Sequence, residues 1–364
     1  MLSLFIVVVF FISILIGVVI GHYKIFPFYY LYKYKNFIAV KLKKRVKNEK
    51  IGTFNESPLD IFFTESLPTT QLRYNAITDE NSLENILDKM SIPSQYFFNA
   101  YKNIELVSFD QNGEICKLVY KVNDLTQEAF FYSNGKKSND VILTIPGSGE
   151  NHSYDIVTNN IRTYHNTFGT PSALLEESTH FVLIKPNEDY LSIHNNEYKL
   201  SYNALYKTLL NKGSSYSVKY LIDAMALVKY CKTNEQKVIL NGLSQGAEAC
   251  LYVSLQAEPY MTIMSSGYSI FNSILDYGSF DQIIISNIRN VYSPEYIKSM
   301  IKQQSTKYIL TYGKEEQCIY GYEAKNNLTQ NYYKDLQNVY FYSHEYAHIM
   351  PVKELNKMIK EFYV

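Results

Sequence analysis

Residues 237–250 read KVILNGLSQGAEAC. A strand-forming run leads into Gly242-Leu243-Ser244-Gln245-Gly246, and small residues follow. Ser244 is either a nucleophile on a sharp strand-to-helix turn or an ordinary serine in a glycine-flanked loop. The pattern G-x-S-x-G does not separate the two by itself. Its context does: a buried strand before, a helix after, backbone donors nearby, and an acid and a histidine later in the chain. On such a turn the backbone is strained, and Gly242 and Gly246 permit the close approach of chain segments that it demands. The N-terminus of the following helix favours negative charge developing beside it.

Outward from Ser244, continuous apolar runs recur at 141–145 (VILTI), 181–185 (FVLIK), 237–242 (KVILNG), 260–266 (YMTIMSS), 307–313 (KYILTYG) and 339–343 (VYFYS). Such runs suit strands buried on both faces. Helices are expected at 214–232, 246–257 and 320–335, and in the closing VKELNKMIKEFY. Upstream, IELVSF and ICKLVYKV alternate as hairpin strands around DQNGE, where Asn112-Gly113 is expected to supply positive φ. EAFFYS (128–133) adds a further strand. A hairpin followed by repeated βα units predicts an α/β fold with a mostly parallel central sheet and helices on both faces. This domain is expected to run from 104 to 364, with 51–103 as a lead-in packed on its surface and 267–306 as a small cap over Ser244.

An activated serine needs oxyanion donors and a proton acceptor. The run VILTI ends in PGSGENHS (146–153), a loop placed to offer the N–H of Ser148 beside that of Gln245. Acid and base then follow the serine in chain order. Beyond the strand 307–313 stand two histidines, His344 and His348. At the end of that strand YGKEEQ supplies carboxylates, with Glu316 the first choice of acid and Glu315 the second.

Through these residues the chain, from about 104 to its end, resembles the α/β-hydrolase superfamily, and within it the acetyl xylan esterase and dienelactone hydrolase branch. GLSQGAEA resembles the family's G-x-S-x-G-G/A elbow, YGKEEQC its Gly-x-x-Asp turn and SHEYAHIMP its E-x-G-H terminal loop. The resemblance implies His348 as the base, with His344 as a neighbour. It also implies acyl transfer through a covalent acyl-enzyme, with Glu316 orienting the imidazole. Three departures stand out: a Glu for the usual Asp, Ala347 where Gly is common, and Pro146 where the oxyanion loop usually starts with His. The expected protein is a serine hydrolase, most simply a carboxylic ester hydrolase or deacylase. It needs no cofactor and acts on a small ester or acylated molecule, with water or another alcohol as acceptor.

Two other readings compete. HEYAH (344–348) matches H-E-x-x-H, in which two histidines one helical turn apart bind zinc and the Glu polarises water. That zinc metallopeptidase needs a helix, whereas NVYFYS before it is β-branched and aromatic and Pro351 follows closely. It also needs a third ligand, and only Glu354 and Glu361 remain downstream. The other reading is a binding protein that keeps the fold without the activity.

The N-terminus carries a separate signal. MLSLFIVVVFFISILIGVVIG has no charged residue and, at 1.5 Å per residue, spans about 31 Å, one hydrocarbon core. It lacks the basic start and small-residue cleavage site of a signal peptide, so residues 1–22 are expected to be a transmembrane anchor. Residues 23–50 follow with an aromatic belt (Tyr23, Phe26, Phe28, Tyr29, Tyr30, Tyr32) and then a basic run from Lys33 to Lys50. Positive flanks stay in the cytoplasm, so a single-pass protein with its catalytic domain on the cytoplasmic side is expected.

Charge and cysteines narrow the class further. The 364 residues carry 35 basic and 35 acidic side chains, which excludes a whole-protein field of the kind that draws nucleic acid. Cys116, Cys231, Cys250 and Cys318 have no metal-ligand spacing and read as free thiols of a reducing compartment.

Overall fold

The computed structural model describes residues 83–147, 177–186, 202–267, 283–314, 330–345 and 349–362. All lie within the unit Phe62–Val364. The expected anchor (1–22), the aromatic and basic segment (23–50) and lead-in residues 51–82 lie outside the described residues.

Among the described residues the core is one nine-stranded sheet in the order β1-β2-β3-β5-β4-β6-β7-β8-β9. Its strands are β1 (Ile104–Asn112), β2 (Ile115–Val122), β3 (Leu125–Ser133), β4 (Asp140–Ile145), β5 (Thr179–Leu183), β6 (Lys237–Leu243), β7 (Met261–Ser265), β8 (Lys307–Gly313) and β9 (Val339–His344). The first three form an antiparallel meander, and β3 joins β5 antiparallel. From β5 through β4 and on to β9 every pairing is parallel. The expected α/β fold with a mostly parallel sheet is therefore the fold observed. β4, β5 and β7 are buried almost throughout, as their continuous apolar runs imply.

The first hairpin differs from expectation in one detail. Asn112 pairs with Ile115 as the last residue of β1, so the turn is Gly113-Glu114, and only Gly113 has positive φ (60°). The second hairpin turn is Asn123-Asp124, with φ of 45° and 67°, the pair of left-handed residues that a two-residue turn matching strand twist requires.

Helices cover both faces. Short helices α1 (Leu83–Met90) and α2 (Ala100–Asn103) precede the sheet, and α3 (Tyr202–Asn211) and α4 (Tyr216–Thr233) follow β5. After β6 come α5 (Gln245–Ala257), α6 (Ile288–Val291), α7 (Pro294–Gln303) and the terminal α8 (Val352–Phe362). Leu355 and Ile359 of α8 pack on Ile142, Ile239, Ile263 and Ile309. Tyr308, one residue along and so on the opposite face, donates to Gln304, which in turn donates to carbonyls at the end of α5. The lead-in does more than lie on the surface: Phe97 is fully buried against Tyr252 and Tyr292, and its carbonyl accepts from Gln256. Of the segment 267–306 expected to cap Ser244, residues 268–282 lie outside the described residues. The remainder includes α7, which buries Ile297 and Ile301.

Candidate active site

Ser244 stands between the last residue of β6 and the first of α5. Its backbone lies at φ 58°, ψ −122°, a conformation that L side chains rarely adopt and that costs of the order of 1–3 kcal/mol. Two other helix-capping serines show what Ser244 does not do. Ser215 and Ser293 have extended φ/ψ, and their side chains accept from the amides of Val218 and Tyr296. Ser244 makes no such capping bond, so its hydroxyl is not committed to its own helix. It is half-buried at the C-terminal edge of the sheet.

The surroundings hold this backbone in place. The Ser244 N–H donates to the carbonyl of Ser265 at 2.9 Å, tying the turn to the end of β7. A Cβ on Gly242 would stand 2.3 Å from the Gly246 carbonyl, and one on Gly246 would stand 1.9 Å from the Ile145 oxygen. Both glycines are therefore required by close backbone approach, as the motif predicts. Gln245 is 1% exposed and opens α5, so its backbone N–H belongs to the first turn of a 13-residue helix, where the helix dipole favours an anion.

Of the other expected site residues, Ser148, Glu315, Glu316 and His348 lie outside the described residues. The elements that carry them are described. β4 ends at Ile145, beside β6, and Pro146 and Gly147 continue from it. β8 ends at Gly313, two residues before Glu315 in the chain. β9 ends at His344, in register with Gly313.

That register sets His344 apart from the elbow. β9 lies three strands from β6, and strands spaced about 4.8 Å apart set His344 roughly 14 Å from the elbow. The His344 side chain is 2% exposed, and burial first of all pushes its pKa down to about 4, against opposing contributions from Glu354 and Glu345. At that distance His344 is out of reach of Ser244 as its base. His344 also bears on the H-E-x-x-H reading: it is the last residue of a strand, Glu345 is a bend, and α8 begins only at Val352. The helical spacing that would place His344 and His348 on one metal is not the geometry adopted at His344. The Glu345 carboxylate pairs with Lys314.

One functional candidate was not found by sequence reasoning. Lys185, two residues beyond β5, is fully buried, and its ammonium donates to the carbonyl of Gly147. Within the run FVLIK it reads as the polar end of a strand. Thiol chemistry is unfavourable among the described cysteines: burial pushes Cys116 up to about 11 and Cys231 to about 12.

No protein-family model matches the chain, and no curated protein sequence matches it. Solved structures that are distantly similar to the chain include three enzymes. A glucuronoyl esterase of carbohydrate esterase family 15 from Caldicellulosiruptor kristjansonii is 12% identical, over 76% of this chain and 82% of that one, with a TM-score of 0.45. A protein designated an acetyl xylan esterase from Bacteroides fragilis is 15% identical over 84% and 88%, with a TM-score of 0.43. One designated a dienelactone hydrolase from Klebsiella pneumoniae is 11% identical over 71% and 95%, with a TM-score of 0.40. These likenesses are distant, and the functional reading rests on the residues of the elbow itself.

Proposed function

We propose that the protein is a serine hydrolase, an esterase or deacylase that works through a covalent acyl-enzyme. The observation that carries this reading is the backbone of Ser244. A non-glycine residue at φ 58° between a central strand and a helix, with no cap to make, has a geometry suited to presenting a hydroxyl.

In this mechanism Ser244 Oγ attacks the acyl carbonyl carbon while His348 takes its proton. The tetrahedral oxyanion is held by the N–H groups of Gln245 and Ser148. Collapse breaks the ester bond, and His348 returns the proton to the leaving alkoxide. Water, deprotonated by His348, then attacks the acyl-enzyme and frees Ser244. Glu316, or Glu315 in its place, orients the imidazole. Residues 1–22 would anchor the domain at a membrane, with the domain on the cytoplasmic side.

The test is labelling by a fluorophosphonate probe. Wild type and His344→Ala are expected to label, while Ser244→Ala and His348→Ala do not. Undiminished labelling of Ser244→Ala would sink the proposal. A C-terminal reporter active only outside the cytoplasm would overturn the orientation.

A further inference from the structure

The edge of the sheet opposite Ser244 carries a cleft of ≈ 450 Å³, within the range of small-molecule sites. It opens where the parallel strands begin: Ser138 and Asn139 precede β4, Thr179 opens β5 and Gln236 precedes β6. β6 runs from there to the elbow, and the steps from Gln236 to Ser244, at about 3.3 Å each, span roughly 26 Å. The cleft is therefore separate from the candidate active site.

Its lining has three features. None of the twelve lining residues is acidic, and two, Lys136 and Lys137, are basic. The acids nearest in sequence, Asp110, Asp140 and Glu235, do not line it. Lys137 is exposed and has no ion-pair partner among the described residues. The second feature is a set of side-chain amides. Those of Gln111, Asn234 and Gln236 donate to the carbonyls of Gly113, Tyr230 and Ser138 at 3.1, 2.8 and 2.8 Å, which fixes each amide and leaves its oxygen as an acceptor for hydroxyls. The third is aromatic. Phe109 stacks on Tyr230 with ring centroids 4.2 Å apart, and it meets Phe181 edge-to-face at 6.1 Å. The two stacked rings cover each other, so no slot remains between them for a nucleobase, whereas a sugar ring needs only one apolar surface.

The loop that carries Lys137 is tied down in advance. Thr179 Oγ1 accepts from the Ser138 N–H at 2.8 Å and donates to the Lys136 carbonyl at 3.1 Å. A wall already ordered lowers the entropic cost of binding. We propose that this cleft binds a phosphorylated sugar. The Lys137 ammonium and the Asn139 amide meet its phosphate, the carboxamide oxygens accept from its hydroxyls, and the Phe109–Tyr230 stack supports its ring. The proposal does not depend on the serine hydrolase reading.

The test is isothermal titration calorimetry of the full chain in detergent with glucose 6-phosphate, ribose 5-phosphate, glucose, inorganic phosphate and AMP. One of the two sugar phosphates is expected to bind about tenfold or more tightly than glucose, inorganic phosphate or AMP, because only it engages the charge and the hydroxyl acceptors together. Lys137→Gln should weaken that binding about tenfold by removing the charge-assisted bond. Asn139→Asp, which adds a carboxylate to a lining that has none, should weaken it at least as much. Affinity should also fall as salt is raised, since Lys137 is exposed. Residues 137 and 139 are both exposed, so both variants should melt with the wild type. Ser244→Ala should bind with wild-type affinity, and loss of binding there would place the ligand at the elbow and overturn the proposal. No binding by either sugar phosphate overturns it too, as does equal or tighter binding of glucose, inorganic phosphate or AMP. An affinity that both cleft variants leave unchanged overturns it as well.

Discussion

Replacing Gly246 by alanine tests the elbow at its tightest point. The added Cβ would stand 1.9 Å from the Ile145 oxygen, 2.9 Å from its carbon and 3.0 Å from the Pro146 carbonyl carbon. Carbon–oxygen contacts settle near 3.3 Å, so β4 and the start of α5 must separate by roughly 1.4 Å. Both sides of the clash are backbone, so no side-chain rotamer relieves it. Overpacking of this kind typically costs about 1–3 kcal/mol, and the upper end is expected here. For a domain of this size each kcal/mol moves Tm by about 2–4 °C, which gives a fall of roughly 6–12 °C by circular dichroism. Gly213→Ala is the control. That glycine has φ +74° with no heavy atom within 4 Å of a built Cβ, so alanine there meets conformational strain alone. That costs about 1 kcal/mol, or roughly 2–4 °C. The displacement at Gly246 also shifts Pro146 and Gly147, so fluorophosphonate labelling should slow at least 100-fold, whereas the control labels normally. A Gly246→Ala protein that melts within 2 °C of wild type, or above the Gly213→Ala control, would refute the reasoning.

Three further outcomes follow from other sites. Ser244→Gly should remove the strain of φ 58° and raise Tm while abolishing labelling, whereas Ser244→Ala abolishes labelling without that gain, read by paired melting and labelling. Lys219 and Asp223 form a buried ion pair with side chains 3% exposed, and Tyr120 also donates to the carboxylate. Lys219→Met should therefore cost about 3–5 kcal/mol in urea unfolding by stranding Asp223, and adding Asp223→Leu should recover most of it. Burial holds the folded pKa of His344 at about 4, below its ordinary value near 6.5, so the unfolded chain binds the extra proton between those pH values. Stability should accordingly rise with pH across that window by at most about 1.4 kcal/mol per unit and be lost on acidification, a slope that His344→Phe removes.

The parallel strands were legible because burial on both faces leaves no room for polar alternation. The runs at 141–145, 307–313 and 339–343 match β4, β8 and β9 to within a residue. α4 and α5 were legible for a similar reason, as long helices enclosed by strands. The Asn123-Asp124 turn was missed although both residues tolerate positive φ, because the glycine usual in such turns is absent. β3 also begins earlier than EAFFYS suggests, at Leu125, since its first two residues are exposed and carry no apolar pattern. Within the site, Ser244 and Gln245 were readable from a local motif. The burial of Lys185 was not, because one group it meets is a backbone carbonyl 38 positions away, and any residue type at 147 presents a carbonyl.

The elbow also shows why five residues of motif say little without distant ones. Ser244 keeps an unfavourable backbone because contacts from the two neighbouring strand ends fix it. The Ser265 carbonyl takes its N–H, and the Ile145 peptide closes on Gly246. Gly267 lets the chain after β7 pass Ala247, where a Cβ would come within 2.4 Å. These constraints arise at the C-terminal ends of β4 and β7, which flank β6, and they meet only when the three strands are parallel neighbours in register. Ser266, itself buried with φ 54°, continues the same strained edge and donates its N–H to Thr311 on β8. Strain of this kind persists only where surrounding structure over-determines it. Four adjacent strand ends therefore cooperate in one unfavourable conformation, whose consequence is a serine hydroxyl released from its own helix.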